Sequence, residues 1–115
     1  MSSQVARARL TDSVASLLRP IRQTEDACGP PPAVLVGSLG EPVALLLSDL
    51  RTAEVYTAPV SLRVHPSADI AETLQRALTR PPAQRFDPVL CTDPTGTVLG
   101  MLRVEDLASA RRKSR

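Results

Sequence analysis

The stretch FDPVLCTDPTGTVLGMLRVEDL, residues 86–107, decides the reading of this chain. Pro88-Val89-Leu90-Cys91-Thr92 and Thr97-Val98-Leu99-Gly100-Met101-Leu102 are apolar runs of strand length. Asp93-Pro94-Thr95-Gly96 lies between them, with Pro at the second turn position and Gly at the fourth, as a type I turn prefers. The segment therefore predicts a β-hairpin. A helix is predicted from about Val104 to Arg112, burying Val104, Leu107 and Ala108, with its basic end favoured by the helix dipole.

Upstream, Val60 to Val64 reads as a short strand ended by Pro66. Ser67 is the expected N-cap of a helix over residues 68–79. Ile70, Leu74, Ala77 and Leu78 recur at helical spacing and draw one apolar stripe. Asp69 suits the positive end of that helix, Glu72 and Arg76 form an i, i+4 pair, and Pro81-Pro82 stops it. The order is strand, helix, strand, strand, helix.

Sliding the sequence against itself shows the unit twice, at an offset of 56. Pro32 falls on Pro88, Gly40 on Gly96, Val43 on Leu99, Ala44 on Gly100, Leu45 on Met101 and Leu46 on Leu102. Thr11 falls on Ser67, Val14 on Ile70 and Leu18 on Leu74. The first copy thus predicts a helix capped by Thr11 or Asp12 and carrying Val14, Leu17, Leu18 and Ile21, shortened by Pro20. A stiff Gly29-Pro30-Pro31-Pro32 loop follows, then a hairpin of Ala33–Val36 and Val43–Leu47 across Gly37-Ser38-Leu39-Gly40. Both runs are apolar on both faces, as covered central strands are. Residues 48–57 are expected to give a short helix and linker. The division is residues 1–57 for the first, degenerate repeat and 58–115 for the second repeat with its basic tail.

Composition bounds the function. The chain has 115 residues, 43% hydrophobic and 23% charged, enough for one compact module. Net charge is +2, too even for a nucleic-acid or membrane surface to dominate. Tyr56 and Phe86 are its only aromatics, which argues against a base-stacking platform for single strands. No apolar run of membrane length and no secretory signal is visible, so the expected setting is the cytoplasm. Cys28 in a loop and Cys91 in an apolar run have no metal-type spacing; Cys91 reads as a small buried hydrophobe and a Cys28–Cys91 disulfide is not expected. His65, the sole histidine, has no second ligand or nucleophile at meaningful spacing. Glu105 and Asp106 are adjacent at a helix start and do not face one another. No phosphate loop, dinucleotide fingerprint, GxSxG or Cys/His cluster occurs, so no enzyme is expected. Arg111-Arg112-Lys113 reads as a solvated tail.

The order of elements, with Asp-Pro-Val-Leu-Cys-Thr-Asp, the Gly turn and Val-Leu-Gly-Met-Leu-x-x-x-Asp-Leu, resembles a CBS domain, and two copies resemble the CBS pair or Bateman module. The match is good over residues 58–110 and weaker, though in register, over 8–57. Phe86–Leu107 is similar to the CBS halves attached to bacterial signalling enzymes such as diguanylate cyclases. The resemblance implies an α+β fold of tandem repeats with pseudo-twofold symmetry, sheets packed face to face, and a homodimer formed through the helices. It implies a non-catalytic module that takes an adenine nucleotide (AMP, ADP or ATP) or S-adenosylmethionine between the repeats and passes the change to a regulated enzyme or signalling protein.

In that family the hairpin's second strand runs Gly-h-h-Thr/Ser-x-x-Asp, the hydroxyl meeting phosphate and the carboxylate accepting the ribose hydroxyls. Gly100, Arg103 and Asp106 fill those places, Arg103 standing where the hydroxyl is usual. The adenine end would fall to Val64, His65, Pro66, Asp87, Pro88 and Val89. The first-copy positions are Ala44, Leu47 and Leu50, which implies a dead first site. Two readings of Asp106 stay open, ribose ligand or helix-start partner, and two of Arg103, bidentate phosphate contact or salt-bridged strand end. The alternative function is a CBS-fold scaffold that dimerises or docks a partner and binds no small molecule.

Overall fold

The computed structural model describes residues 13–113. Thr11, Asp12, the Arg-rich start and the last two residues lie outside that range, and of Arg112 and Lys113 only the backbone is described. Two sheets are present among the described residues. The first has order β1-β2-β3-β4, from Arg22–Thr24, Ala33–Val36, Pro42–Ser48 and Val55–Ala58. The second has order β5-β6-β7, from Arg63–Val64, Val89–Thr92 and Val98–Leu102. Helices α1 (Ile70–Leu78) and α2 (Val104–Lys113) belong to the second repeat.

The two hairpins are copies of one another at the level of single residue pairs. In the first, Ala33 faces Leu46, Val34 Leu45, Leu35 Ala44 and Val36 Pro42. In the second, Val89 faces Leu102, Leu90 Met101, Cys91 Gly100 and Thr92 Val98. Every pair maps onto its counterpart at offset 56, including the bulge that follows Leu35 and Cys91. The turn glycines match as well: Gly40 and Gly96 have φ of 81° and 92°, a region in which a side chain is strained. Gly40 N–H donates to Gly37 O and Gly96 N–H to Asp93 O, both at 2.9 Å. Asp93 Oδ1 further accepts from the N–H groups of Thr95 and Thr97 and from the Thr95 hydroxyl. Those bonds, the Thr95 hydroxyl first, hold its carboxyl below the usual carboxylate range.

The second repeat has the expected strand, helix, strand, strand, helix order, with shifted boundaries. Its first strand is only Arg63–Val64. The N-cap of α1 is Asp69 rather than Ser67: its carboxylate accepts from Glu72 N–H at 3.0 Å. The Ser67 hydroxyl is instead 3.1 Å from His65 Nδ1.

The first repeat corrects two expectations. No α-helix carries Val14, Leu17, Leu18 and Ile21; Val14–Leu17 is one 3₁₀ turn whose Ser13 cap accepts no hydrogen bond with its side chain. Val14 N–H is taken by Ala68 O of the second repeat at 2.8 Å, and Pro20 has no N–H to continue a helix. The strand-to-hairpin connection spans only residues 25–32, against residues 65–88 in the second repeat, so there is no length for a counterpart of α1. This loop holds the cis Pro31-Pro32 bond and accepts a bond from Arg22 Nη2 at Pro30 O. Residues 48–57 likewise form no helix. Asp49 Oδ1 accepts from the N–H groups of Arg51 and Thr52, and Ala53 adopts φ 63°. The chain then returns as β4, which pairs antiparallel with β3 through β-forming Val55, Tyr56 and Thr57.

The sheets pack face to face by equivalent positions. Val34 and Leu45 of one meet Leu90 and Met101 of the other, with Leu47, Ala58 and Val98. A second core lies between the β5-β6-β7 sheet and its helices: Val64, Ile70, Leu74, Ala77, Val89, Leu102, Val104, Leu107 and Ala110, with Val14 contributed by the first repeat.

Cys91 is buried in β6 and Cys28 is exposed in the 25–32 loop, both free thiols. Burial pushes the Cys91 thiol up, so its reactive thiolate is scarce. Brief treatment of the native protein with iodoacetamide is expected to give a single adduct at Cys28 by mass spectrometry, and Cys91 is modified only in denaturant. Equal modification of both in the native state contradicts the buried placement.

Candidate functional site

Each repeat is entered by a segment that pairs with the other repeat's sheet. Ala58 of β4 lies beside Leu45, and Arg19, ahead of β1, lies beside Met101. Arg19 N–H donates to Met101 O at 2.9 Å and Met101 N–H to Arg19 O at 2.8 Å. Gly100 is glycine because of this crossing: a Cβ there would collide with Arg19 O and press on Leu18. Gly100→Ala is expected to destabilise the fold by about 1–3 kcal/mol, as overpacking against backbone does. Amide exchange at Met101 is expected to speed up; unchanged protection there would show that the crossing tolerates a methyl group.

The crossing determines what surrounds the second-repeat motif. Arg19 Nε donates to Asp106 Oδ2 at 2.7 Å, and Arg103 Nη2 to Glu105 Oε2 at 2.7 Å. Asp106 therefore has an intramolecular cation as partner, and Arg103 stands in the salt-bridged arrangement. Glu105's carboxyl is held below the usual range, first by its own backbone N–H and then by Arg103. Val64 and Val89 lie in the core between sheet and helices. Pro66 O accepts from Ala15 N–H at 3.2 Å, tying the strand end to the first repeat. Of the nine positions implied by the family motif, Asp87 and Pro88 line the cavity described next; Asp106, Arg103, Gly100, Val64, His65, Pro66 and Val89 do not.

That cavity, about 420 Å³, lies between the repeats. One wall is the end of β3 and its turn, Leu47 to Arg51, with Tyr56 of β4. The opposite wall is Pro82, Ala83 and Phe86 to Pro88, with Pro32 at the side. Leu47 to Leu50 occupy the places that correspond, at offset 56, to Arg103 to Asp106. The hollow thus opens beside the repeat whose motif has lost its carboxylate. Tyr56 reaches it because its β3 partner is Leu47, an inner-face residue of the intersheet core. Tyr56 is 46% exposed and Phe86 73% exposed, so both rings offer apolar surface to whatever fills the hollow. The lining also includes the charged residues Arg51, Asp49 and Asp87.

The far wall is held by one buried arginine. Arg80, 6% exposed, donates through Nε to Ala77 O, Nη1 to Ser61 Oγ, and Nη2 to Arg85 O and Asp87 O. Burial pushes its pKa down, and the charge of Asp87 opposes that. Asp87 is itself buried; loss of solvent raises its carboxyl above the usual range, with Arg80 pulling the other way. Among the described residues its Oδ2 is a buried atom with no hydrogen-bond partner. Sequence reasoning missed Tyr56, Phe86, Arg51 and Arg80. The available signal was that the chain's only two aromatics fall in separate repeats.

Another hollow, about 530 Å³, lies along the helices and is lined by Ala71, Leu74, Gln75, Leu78, Thr79 and Arg111. Among the described residues no group of three or more His, Cys, Asp and Glu is placed to hold a metal ion. No helix among them is long and apolar enough to cross a membrane.

Two sheets of repeated hairpins, related residue by residue and packed face to face, define an α+β tandem-repeat module with the fold of a CBS domain pair. Two solved structures show the likeness. The CBS domains of a transcriptional regulator from Streptococcus pneumoniae match with TM-score 0.62 at 17% identity, over 84% of this chain and 97% of theirs. The structure of CBSX2 in complex with AMP matches with TM-score 0.58 at 12% identity, over 86% of this chain and 95% of that one. No family model matches the sequence, and no curated protein does.

Proposed function

We propose that the protein is a non-catalytic regulatory module that binds an adenine nucleotide in the cavity between its repeats. One observation carries this reading: the chain's only two aromatic side chains, one from each repeat, line the same hollow. Flat apolar surface suits a purine, and Arg51 supplies a guanidinium for phosphate. The likeness of fold to CBSX2, whose structure contains AMP, supports the ligand class. A ligand that touches β3–β4 on one side and the 82–88 wall on the other favours one relative angle of the repeats, which is what a partner enzyme or signalling protein would read. The proposal includes a homodimer formed through the α1 and α2 surfaces and a cytoplasmic setting.

The test is thermal unfolding with AMP, ADP, ATP, S-adenosylmethionine and cyclic dinucleotides. A ligand at a hundredfold its Kd adds about 2.7 kcal/mol to stability, a readily measured shift. At least one nucleotide is expected to raise the midpoint, and Phe86→Ala or Tyr56→Ala to abolish the rise. A rise abolished by Asp106→Ala and not by Phe86→Ala would move the ligand to the side of Gly100, Arg103 and Asp106. The second reading is a scaffold of the same fold that binds no small molecule; the internal pairing of Asp106 and Arg103 favours it. No shift with any of these ligands establishes that reading in place of the first.

A further inference from the structure

We propose that the outer edge of β4 pairs with the same edge of a second copy of this chain, in one register centred on Tyr56. The contact goes beyond the nucleotide reading, does not depend on it, and is separate from the dimer through α1 and α2. β4 closes one side of the four-stranded sheet, with β3 as its neighbour. Asp49 N–H donates to Glu54 O at 2.8 Å, just before the ladder begins at Ser48 and Val55. Bonded and non-bonded pairs alternate in an antiparallel ladder, so Tyr56 and Ala58 turn their N–H and C=O groups toward β3 while Val55 and Thr57 turn theirs outward. Among the described residues no loop, turn or helix backbone group bonds to either of them. Val55, Tyr56 and Thr57 are exposed strand formers, and neither a charge nor a proline interrupts the strand. The other edges are guarded. β1 carries Arg22, whose guanidinium reaches Pro30 O; β7 is met at Met101 by Arg19; β5 is two residues long. An edge without such devices is a template for another strand.

Parity and local geometry single out the second copy and the register. Self-pairing about a twofold axis has to set outward residues against outward residues. Centring on Tyr56 sets Val55 against Thr57 of the second copy and Thr57 against its Val55, so every outward donor on one copy meets an acceptor on the other. Glu54 then faces Ala58, and no like charges oppose. Centring on Thr57 would put Val55 against Pro59, which has no N–H to give. Centring on Val55 would put Thr57 against Ala53, whose φ of 63° takes it out of extended backbone. Tyr56 is thus the residue on the axis, and it also lines the cavity between the repeats.

Cysteine trapping on the full chain tests the register. In a Cys28→Ser background, Tyr56→Cys is expected to form an intermolecular disulfide under mild oxidation on the order of tenfold faster than Val55→Cys, because only position 56 meets itself, at the Cα separation of about 4.5 Å of a non-bonded pair. Adding Thr57→Pro removes an outward N–H, spares the ladder with β3, and is expected to abolish the trapping. Charge exchange is the second measurement, should loss of the Tyr56 ring unfold the chain. Val55→Lys with Thr57→Lys, and separately Val55→Glu with Thr57→Glu, set like charges opposite one another and are expected to weaken self-association in sedimentation velocity by about tenfold. An equimolar mixture of the two is expected to restore it. Equal trapping at positions 55 and 56 overturns the proposal, as does trapping that survives Thr57→Pro. Undiminished association in both charge variants, or a mixture no better than either alone, overturns it too, and leaves the nucleotide reading and the helix-mediated dimer standing.

Discussion

Leu45→Ala is expected to lower the free energy of unfolding by about 3 kcal/mol, measured by urea denaturation followed by circular dichroism. Leu45 is fully buried on the inner face of β3, among Val34, Ala58, Leu90 and Met101. Truncation removes apolar surface from the layer that joins the two sheets and leaves a hole. Neither sheet can close that hole without shifting the other. Set against a total stability of roughly 5–15 kcal/mol for a domain, the loss is large. Val43→Ala, two residues earlier, is the control: Val43 is 59% exposed at the bulge, and its truncation should change stability by less than about 0.5 kcal/mol. Equal losses for the two variants would mean that the sheets do not pack as described.

Arg80→Met is expected to cost about 2–4 kcal/mol and to weaken nucleotide binding at least tenfold. Methionine keeps most of the apolar stem and removes the guanidinium. Ser61 Oγ, Arg85 O and Asp87 O then lose the guanidinium donor in a buried or part-buried place, while Ala77 O keeps the backbone N–H of residue 80 at 3.3 Å; each group left unpartnered costs about 1–3 kcal/mol before water enters. The wall of residues 81–88 loosens, so amide exchange there should quicken. Arg76→Met on the exposed face of α1 is the matched control. Full stability and unchanged exchange in Arg80→Met would show that the wall is held by something other than these bonds. Wild-type stability with weakened binding would make Arg80 a ligand contact rather than a positioning residue.

Much of the fold was legible in the sequence because hairpins are local. The turn residues, the glycines that tolerate positive φ and the apolar alternation lie within about fifteen positions of each other, and the offset of 56 carried the register from one copy to the other. The second repeat was legible for the same reason: α1 has its stripe, its proline stop and an acidic cap, although the cap belongs to Asp69. The first repeat was not. Val14, Leu17 and Leu18 have helical spacing, but Val14 gives its N–H to Ala68 of the other repeat, and that long-range bond outweighs a weak local preference. Residues 48–57 were misread because Val55, Tyr56 and Thr57 gain a partner strand in β3, a gain invisible along the chain.

The candidate site was less legible than the fold. The family motif pointed to Asp106 and Arg103, whose charges are met by Arg19 and Glu105. Arg19 is 87 positions from Asp106, and no local pattern announces that contact.

The sequence by itself determined that this chain repeats one hairpin unit and where each hairpin turns, since these follow from turn chemistry and duplication. Only the tertiary structure decided that residues 13–57 form no α-helix, that Arg19 closes over Gly100, and that Tyr56 and Phe86 share a hollow. The reason is physical: those outcomes depend on backbone groups and rings meeting across the pseudo-twofold contact between the sheets, and packing energy, unlike propensity, has no address in the linear order of residues.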